Sequence, residues 1–231
     1  MQNGHIDWQQ VNADLDQHGF GLIGNMLTDT QCTSLINDFE DDNLFRRHIV
    51  MQNHGYGQGE YKYFAYPLPE LVAELRETLY PPLAKIANNW ADRFSNPTRY
   101  PDQLADYTAR CHSAGQCRPT PLILKYTAGD YNRLHQDLYG EHLFPLQMTI
   151  LLSTPGDDFE GGEFILTEQR ARQQSRARVV PLTKGDAVIF AVNQRPIQGK
   201  TGAVRVTMRH GVSDVRRGHR FTLGIIFHDA K

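Results

Sequence analysis

Residues 121–137 read PLILKYTAGDYNRLHQD, and at this stretch the hydrophobic period of the chain changes. Upstream, apolar side chains recur at helical spacing. From Pro121 onward they alternate or run in short extended blocks. Strands are expected at 121–126, 133–137, 145–153, 162–167, 177–182, 186–191, 203–212 and 220–227. Turn signals separate several of them: TAGD at 127–130, PGDD at 155–158, KGD at 184–186 and GKTG at 199–202. Short strands at this spacing suggest a two-sheet jelly roll, mainly β, with helices packed outside one sheet in an α+β arrangement.

The N-terminal half supplies those helices. Residues 7–17 form one candidate, followed by a strand-like FGLI at 20–23. Thr28 to Gln31 has capping-box spacing and introduces Cys32, Leu35, Ile36 and Phe39 on one helical face. Pro69 opens a third helix carrying Leu71, Val72, Leu75 and Leu79. Pro81-Pro82 is expected to end or kink it and to start a fourth through about Phe94. The expected organisation is a single catalytic domain over 1–231. Residues 1–117 form a helical buttress with a substrate loop, and 118–231 form the jelly-roll core.

Composition narrows the class. An apolar share of 40% with 22% charged residues suits a globular chain that can build a substantial core. The start, MQNGHIDWQQVNADLDQ, lacks a basic segment followed by an apolar one, and no run approaches the roughly 18 apolar residues of a membrane span. A cytoplasmic location without a membrane partner is therefore expected, and oligomeric state is not legible. Cys32, Cys111 and Cys117 show no zinc-type spacing, and their odd number argues against a disulfide framework. Charge is uneven. Residues 161–231 carry 13 Lys/Arg against 5 Asp/Glu, a balance of +8, whereas residues 1–160 carry 11 against 21, or −10. A basic C-terminal part could face an anionic partner, or its arginines could simply solvate strand edges.

Chemistry enters with His135 and Asp137. In a strand, residues i and i+2 point to one face, so both could chelate one ion while Gln136 points away. A third ligand must come from elsewhere. Val204, Val206, Met208 and His210 share one face of a strand at 203–212, and Arg205, Thr207 and Arg209 the other, which turns His210 inward. His142, His219 and His228 are less favoured, since they fall in a loop, in a tight turn and after the last strand. Two imidazoles and one carboxylate are the set that holds Fe(II) on one face and leaves the other open. Arg220 begins the final strand and shares a face with Thr222. A guanidinium entering an apolar pocket needs an anionic partner, and the distal carboxylate of 2-oxoglutarate would serve, with the Thr222 hydroxyl as a second donor.

In these motifs, LKYTAGDYNRLHQD, FEGGEFILTE, KGDAVIF and RHGVSDVRRGHRFTLGIIF, the chain resembles the Fe(II)/2-oxoglutarate dioxygenase superfamily over roughly residues 118–228. The tail is similar to prolyl-hydroxylase-type domains. The resemblance implies a cupin-like double-stranded β-helix, with His135, Asp137 and His210 as iron ligands and Arg220, Thr222 and Tyr126 as 2-oxoglutarate contacts. Gly161 and Gly162 resemble the glycine pair that bends a strand beside the site. Implied cofactors are Fe(II), 2-oxoglutarate and O2, with ascorbate as an optional reductant. The implied reaction couples oxidative decarboxylation of 2-oxoglutarate to hydroxylation of a C–H bond. Over nearly its whole length the chain also resembles a bacterial family associated with oxidative repair of alkylated DNA. Dealkylases of the superfamily carry a second arginine six residues after the first, and Ile226 stands at that position here.

A macromolecular substrate is expected, with a modified nucleobase preferred over a protein side chain. Prolyl or aminoacyl hydroxylation, and hydroxylation of a free amino acid, are the alternatives within the class. Outside it stands a non-catalytic jelly-roll metal- or ligand-binding protein, which would need neither an open iron face nor the arginine. HGYGQGEYKYFAYPLP at 54–69 places His54, Tyr56, Tyr61, Tyr63 and Tyr66 on a glycine-rich loop that could stack a base, embrace a peptide, or merely pack on the barrel. Arg170, Arg172, Arg176 and Arg178 could meet phosphates, or form the solvated rim of a hairpin.

Overall fold

The computed structural model describes residues 6–138, 140–200 and 202–231. Its N-terminal part runs α1 (Trp8–His18), β1 (Phe20–Ile23), α2 (Asp29–Asp38), β2 (Phe45–Val50), β3 (Gly57–Gln58), β4 (Glu60–Phe64), α3 (Glu70–Arg93) and α4 (Leu104–Ser113). Then come β5 (Leu122–Thr127), β6 (Tyr131–His135), β7 (Leu146–Leu151), β8 (Phe159–Gly161) and β9 (Phe164–Gln169). The chain closes with β10 (Arg176–Val180), β11 (Ala187–Ala191), β12 (Gln194–Gly199), β13 (Gly202–Val212) and β14 (Val215–Ile225).

The strands form two antiparallel sheets. The larger has the order β1-β11-β7-β14-β5-β4-β2, with β8 attached to β14. The smaller has the order β10-β9-β13-β6-β3, with β12 on β13. Alternation along each strand explains the layering. On the larger sheet Ile123, Ile150, Ile189, Leu223 and Ile225 join the buried face of α3, including Leu75, Leu79, Tyr80, Leu83 and Trp90, in one apolar cluster. The opposite face carries Leu122, Tyr126, Leu151, Val188 and Phe190. These meet Phe164, Leu166 and Val212 of the smaller sheet in a second cluster inside the barrel. This is the expected jelly roll with helices on one sheet.

Local signals hold in several places. Thr28 Oγ1 accepts from Gln31 N while Gln31 Oε1 accepts from Thr28 N, so the capping box forms and starts α2. The expected face of β13 is buried at Val206, Met208 and His210, although Val204 at its start is 43% exposed.

Other expectations need correction. α3 runs through Pro81 and Pro82 to Arg93 as one helix, so the prolines do not end it and no separate fourth helix starts there. The prolines remove two helical N–H donors, but Leu79, Tyr80, Leu83 and Ala84 are fully buried around them and hold both halves on the sheet. The N-terminal region is also more than a helical buttress. Its strands β1, β2 and β4 extend the larger sheet and β3 extends the smaller, so position 117 does not divide helices from strands. The GYGQGEYKYF stretch, expected as a loop, supplies β3 and β4. Finally, β6 ends at His135, so Asp137 lies just beyond the strand that was expected to carry it.

The segment after β14 is fastened to α3. Buried Arg76 donates to Ile226 O (3.0 Å), Phe227 O (2.9 Å) and Asp229 Oδ1 (2.7 Å). Tyr66 donates to Asp229 Oδ2 at 2.8 Å. A buried ion pair of this kind is weak evidence of added stability; here it ties the residues after β14 to α3.

Candidate active site

β13 and β6 pair with His210 directly opposite His135, which sets the two imidazole centroids 4.2 Å apart. Asp137 follows two residues on and turns back between them. His135 Nε2 lies 3.4 Å from Asp137 Oδ1, and His210 Nε2 lies 3.3 Å from Asp137 Oδ2. One ligand atom from each residue falls within 4.8 Å of the others, the spacing of a group that could hold one metal ion. The donor chemistry fits that use. His135 Nδ1 donates to Arg133 O at 2.7 Å, which turns Nε2 toward the carboxylate. The His210 ring is held by Phe190 (4.8 Å) and Phe164 (6.1 Å). Burial alone would raise the Asp137 pKa. Hydrogen bonds from both histidines outweigh it and hold this carboxyl well below its usual range. Burial and the neighbouring His135 push His210 down, favouring the neutral, ligating form.

β14 brings the fourth group. Arg220 and Thr222 are each 2% exposed and share the cavity-facing side of the strand. Arg220 Nε and Nη1 have no hydrogen-bond partner among the described residues. Its guanidinium carbon sits 5.6 Å from the Tyr126 ring and 5.8 Å from that of Phe159. Burial lowers its pKa to about 10, so it stays charged at neutral pH. A buried cation with empty donors calls for an anion. Tyr126 is fully buried, lines the same cavity and accepts from Asn132 Nδ2 at 3.3 Å.

All six residues expected at the site, His135, Asp137, His210, Arg220, Thr222 and Tyr126, line one cavity of about 310 Å³. Tyr56, Tyr61 and Tyr63 form part of its wall. The other two aromatics of that segment do not line it: His54 stacks on Tyr56 at 5.4 Å, and Tyr66 binds Asp229. Of the rival histidines, His228 is buried as a structural group and accepts from Phe144 N at 3.2 Å; His219 is exposed. The four candidate arginines divide. Arg172 and Arg176 are exposed, whereas Arg170 pairs with Glu168 at 3.5 Å and Arg178 is half-buried. Sequence reasoning missed Gln147, whose Nε2 donates to Asp137 Oδ2 at 2.8 Å. Its one available signal was a lone amide inside the apolar run LFPLQMTILL.

Residues 59–230 match the model of the Oxygenase-NA family, described as an oxygenase catalysing oxidative methylation of damaged DNA. The chain belongs to this family. Two uncharacterised proteins of Mycobacterium tuberculosis, MT2286 of strain CDC 1551 and Rv2227 of strain H37Rv, are each 47% identical to it over 167 residues, covering 72% of either chain. Solved structures share the fold at low identity. A Pseudomonas putida prolyl-4-hydroxylase aligns at 13% identity and TM-score 0.54, over 94% of this chain and 96% of that one. A Burkholderia pseudomallei oxidoreductase of the 2OG-Fe(II) oxygenase family gives 14% and 0.55, over 100% and 96%. The α-ketoglutarate-dependent epimerase SnoN gives 12% and 0.58, over 94% and 80%. Family and donor set agree: this chain is an oxygenase of the Oxygenase-NA family whose His135, Asp137 and His210 are spaced to hold one metal ion, on a fold shared with 2OG-Fe(II) oxygenases.

Proposed function

We propose that the enzyme oxidises N-alkyl groups on damaged nucleobases, working in a reducing, cytoplasmic compartment. His135, Asp137 and His210 would hold Fe(II). Arg220, with Thr222 and Tyr126, would hold the distal carboxylate of 2-oxoglutarate. Together with O2 these cofactors supply the oxidation that turns a C–H bond into C–OH while 2-oxoglutarate becomes succinate and CO2. On an N-methyl group, the hydroxymethyl product breaks its C–N bond and leaves as formaldehyde, returning a proton to the nitrogen. The protein's own part is positional. Arg220 orients the co-substrate by charge, the two imidazoles and the carboxylate present a fixed triangle, and the apolar barrel wall excludes bulk water.

The observation that carries the nucleobase reading is the aromatic wall. Tyr56, Tyr61 and Tyr63 line the same cavity as the His-Asp-His group, and aromatic faces accept a base by stacking whatever its sequence. The description of the family points the same way. Exposed Arg172 and Arg176 could add phosphate contacts beyond the cavity.

One observation favours protein hydroxylation instead. Ile226, which stands where dealkylases of the superfamily carry a second arginine, is 4% exposed and lines the cavity. The two readings separate in one assay. With Fe(II) and 2-oxoglutarate, a single-stranded oligonucleotide carrying N-methylated bases should raise succinate formation above the uncoupled rate and release formaldehyde in step with it. An Arg172→Ala/Arg176→Ala double variant should need more oligonucleotide, with a shallower salt dependence. Stimulation by proline-containing peptides and by no methylated oligonucleotide would replace this reading with the hydroxylase one.

A further inference from the structure

Gln147 lies in β7 on the face that turns into the barrel, opposite Phe190 in the ladder and between buried Leu146 and Met148. It is 4% exposed, and its Oε1 has no hydrogen-bond partner among the described residues. An unsatisfied buried carbonyl is unfavourable, and an apolar side chain of similar shape would avoid that loss. The opposite end of the amide is engaged. Nε2 donates to Asp137 Oδ2 at 2.8 Å and lies 3.3 Å from His210 Nε2. Gln147 therefore stands at the corner where the carboxylate and one imidazole meet.

We infer that Gln147 is a positioning residue for the metal centre: its N–H fixes the rotation of the Asp137 carboxylate, so the ligand triangle exists before the metal arrives. Asp137 lies just past the end of β6, outside the strand that carries His135. His135 has its own support from Arg133 O, and His210 from the Phe164 and Phe190 rings. The amide does for the carboxylate what those contacts do for the imidazoles. The unsatisfied Oε1 is the stability given up for that orientation.

The inference rests on Asp137 being a metal ligand, so its test keeps the two claims apart. Gln147→Leu and Gln147→Met preserve volume and remove both the N–H and the orphan carbonyl. In both, Mn(II) affinity, read by electron paramagnetic resonance of the free ion, should fall roughly 10- to 100-fold. The Tm of the metal-free protein should stay level or rise, and the KM for 2-oxoglutarate at saturating Fe(II) should not change. Wild-type Mn(II) affinity in both variants would overturn the inference. So would a lower metal-free Tm in both, since a packing role would then explain any loss. Asp137→Ala is the control: if it binds Mn(II) as the wild type does, the metal assignment itself fails. If it loses Mn(II) while the Gln147 variants keep it, only the role of Gln147 falls.

Discussion

Arg220 carries a full positive charge into the barrel beside the Tyr126 and Phe159 rings, and two of its nitrogens have no hydrogen-bond partner among the described residues. A buried charge with empty donors lowers stability, and an apolar replacement of similar length relieves that. Arg220→Met should therefore stabilise the protein without co-substrate, by about 1–4 kcal/mol, while losing most of its affinity for 2-oxoglutarate. Thermal melts with and without 2-oxoglutarate check both halves: wild type should gain Tm from the co-substrate and the variant should not. Undiminished affinity in the variant would put the carboxylate anchor elsewhere. Much of this scale was legible in the sequence, because strand alternation turns His210 inward and sets Arg220 on one face with Thr222. Gln147 was not, because its partner Asp137 meets it only through the stacking of two sheets. That contact depends on register, which a single sequence does not fix.

At the scale of elements, the turn from β8 into β9 passes so close to Arg220 that a side chain would not fit. Gly161 and Gly162 both take positive φ (75° and 62°), and a Cβ on Gly162 would lie 2.8 Å from Arg220 Cδ and 2.9 Å from Val215 Cγ2. Gly162→Ala strains the backbone and displaces the arginine. The expected result is a higher KM for 2-oxoglutarate with Mn(II) affinity preserved, because the His-Asp-His group lies on other strands. Equal KM values in the variant and the wild type would show that Arg220 tolerates the shift. Elements with one clean physical signature were readable beforehand, such as α2 with its capping box and β13 with its alternation. β2 and β4 were not. Their residues, FRRHIV and EYKYF, mix charge with aromatics, and the buried Lys62 is satisfied only by tertiary partners, Phe39 O and Asp42. α3 misled for the opposite reason, since packing on the sheet overrides the two prolines.

The tail clamp gives the whole molecule a pH dependence. Burial, reinforced by Arg76, holds the His228 pKa down to about 4 from its usual 6.5. Between those values the unfolded chain binds a proton that the folded one refuses, so stability falls as pH drops from about 6.5 to about 4. Asp229 is raised by burial but lowered more by Arg76 and its hydrogen bonds. Its contribution is present above its ordinary value of 3.8 and lost as pH falls below that. Melts across this range should show the decline, and His228→Gln, which can still accept from Phe144 N, should flatten the upper part. A decline identical in the variant would assign it to other groups. At this scale the excess of positive charge over residues 161–231 was visible in the sequence, but its division into paired, half-buried and exposed arginines needed the fold.

The central claim is that His135, Asp137, His210 and Arg220 together run 2-oxoglutarate oxidation. The most direct measurement is succinate formed from 2-oxoglutarate and Fe(II) under O2, by the wild-type protein and by Asp137→Ala. The account predicts succinate from the wild type, even without a second substrate, and none from the variant with its fold retained. Equal succinate from both, or none from a wild-type protein that also fails to bind 2-oxoglutarate, would contradict it.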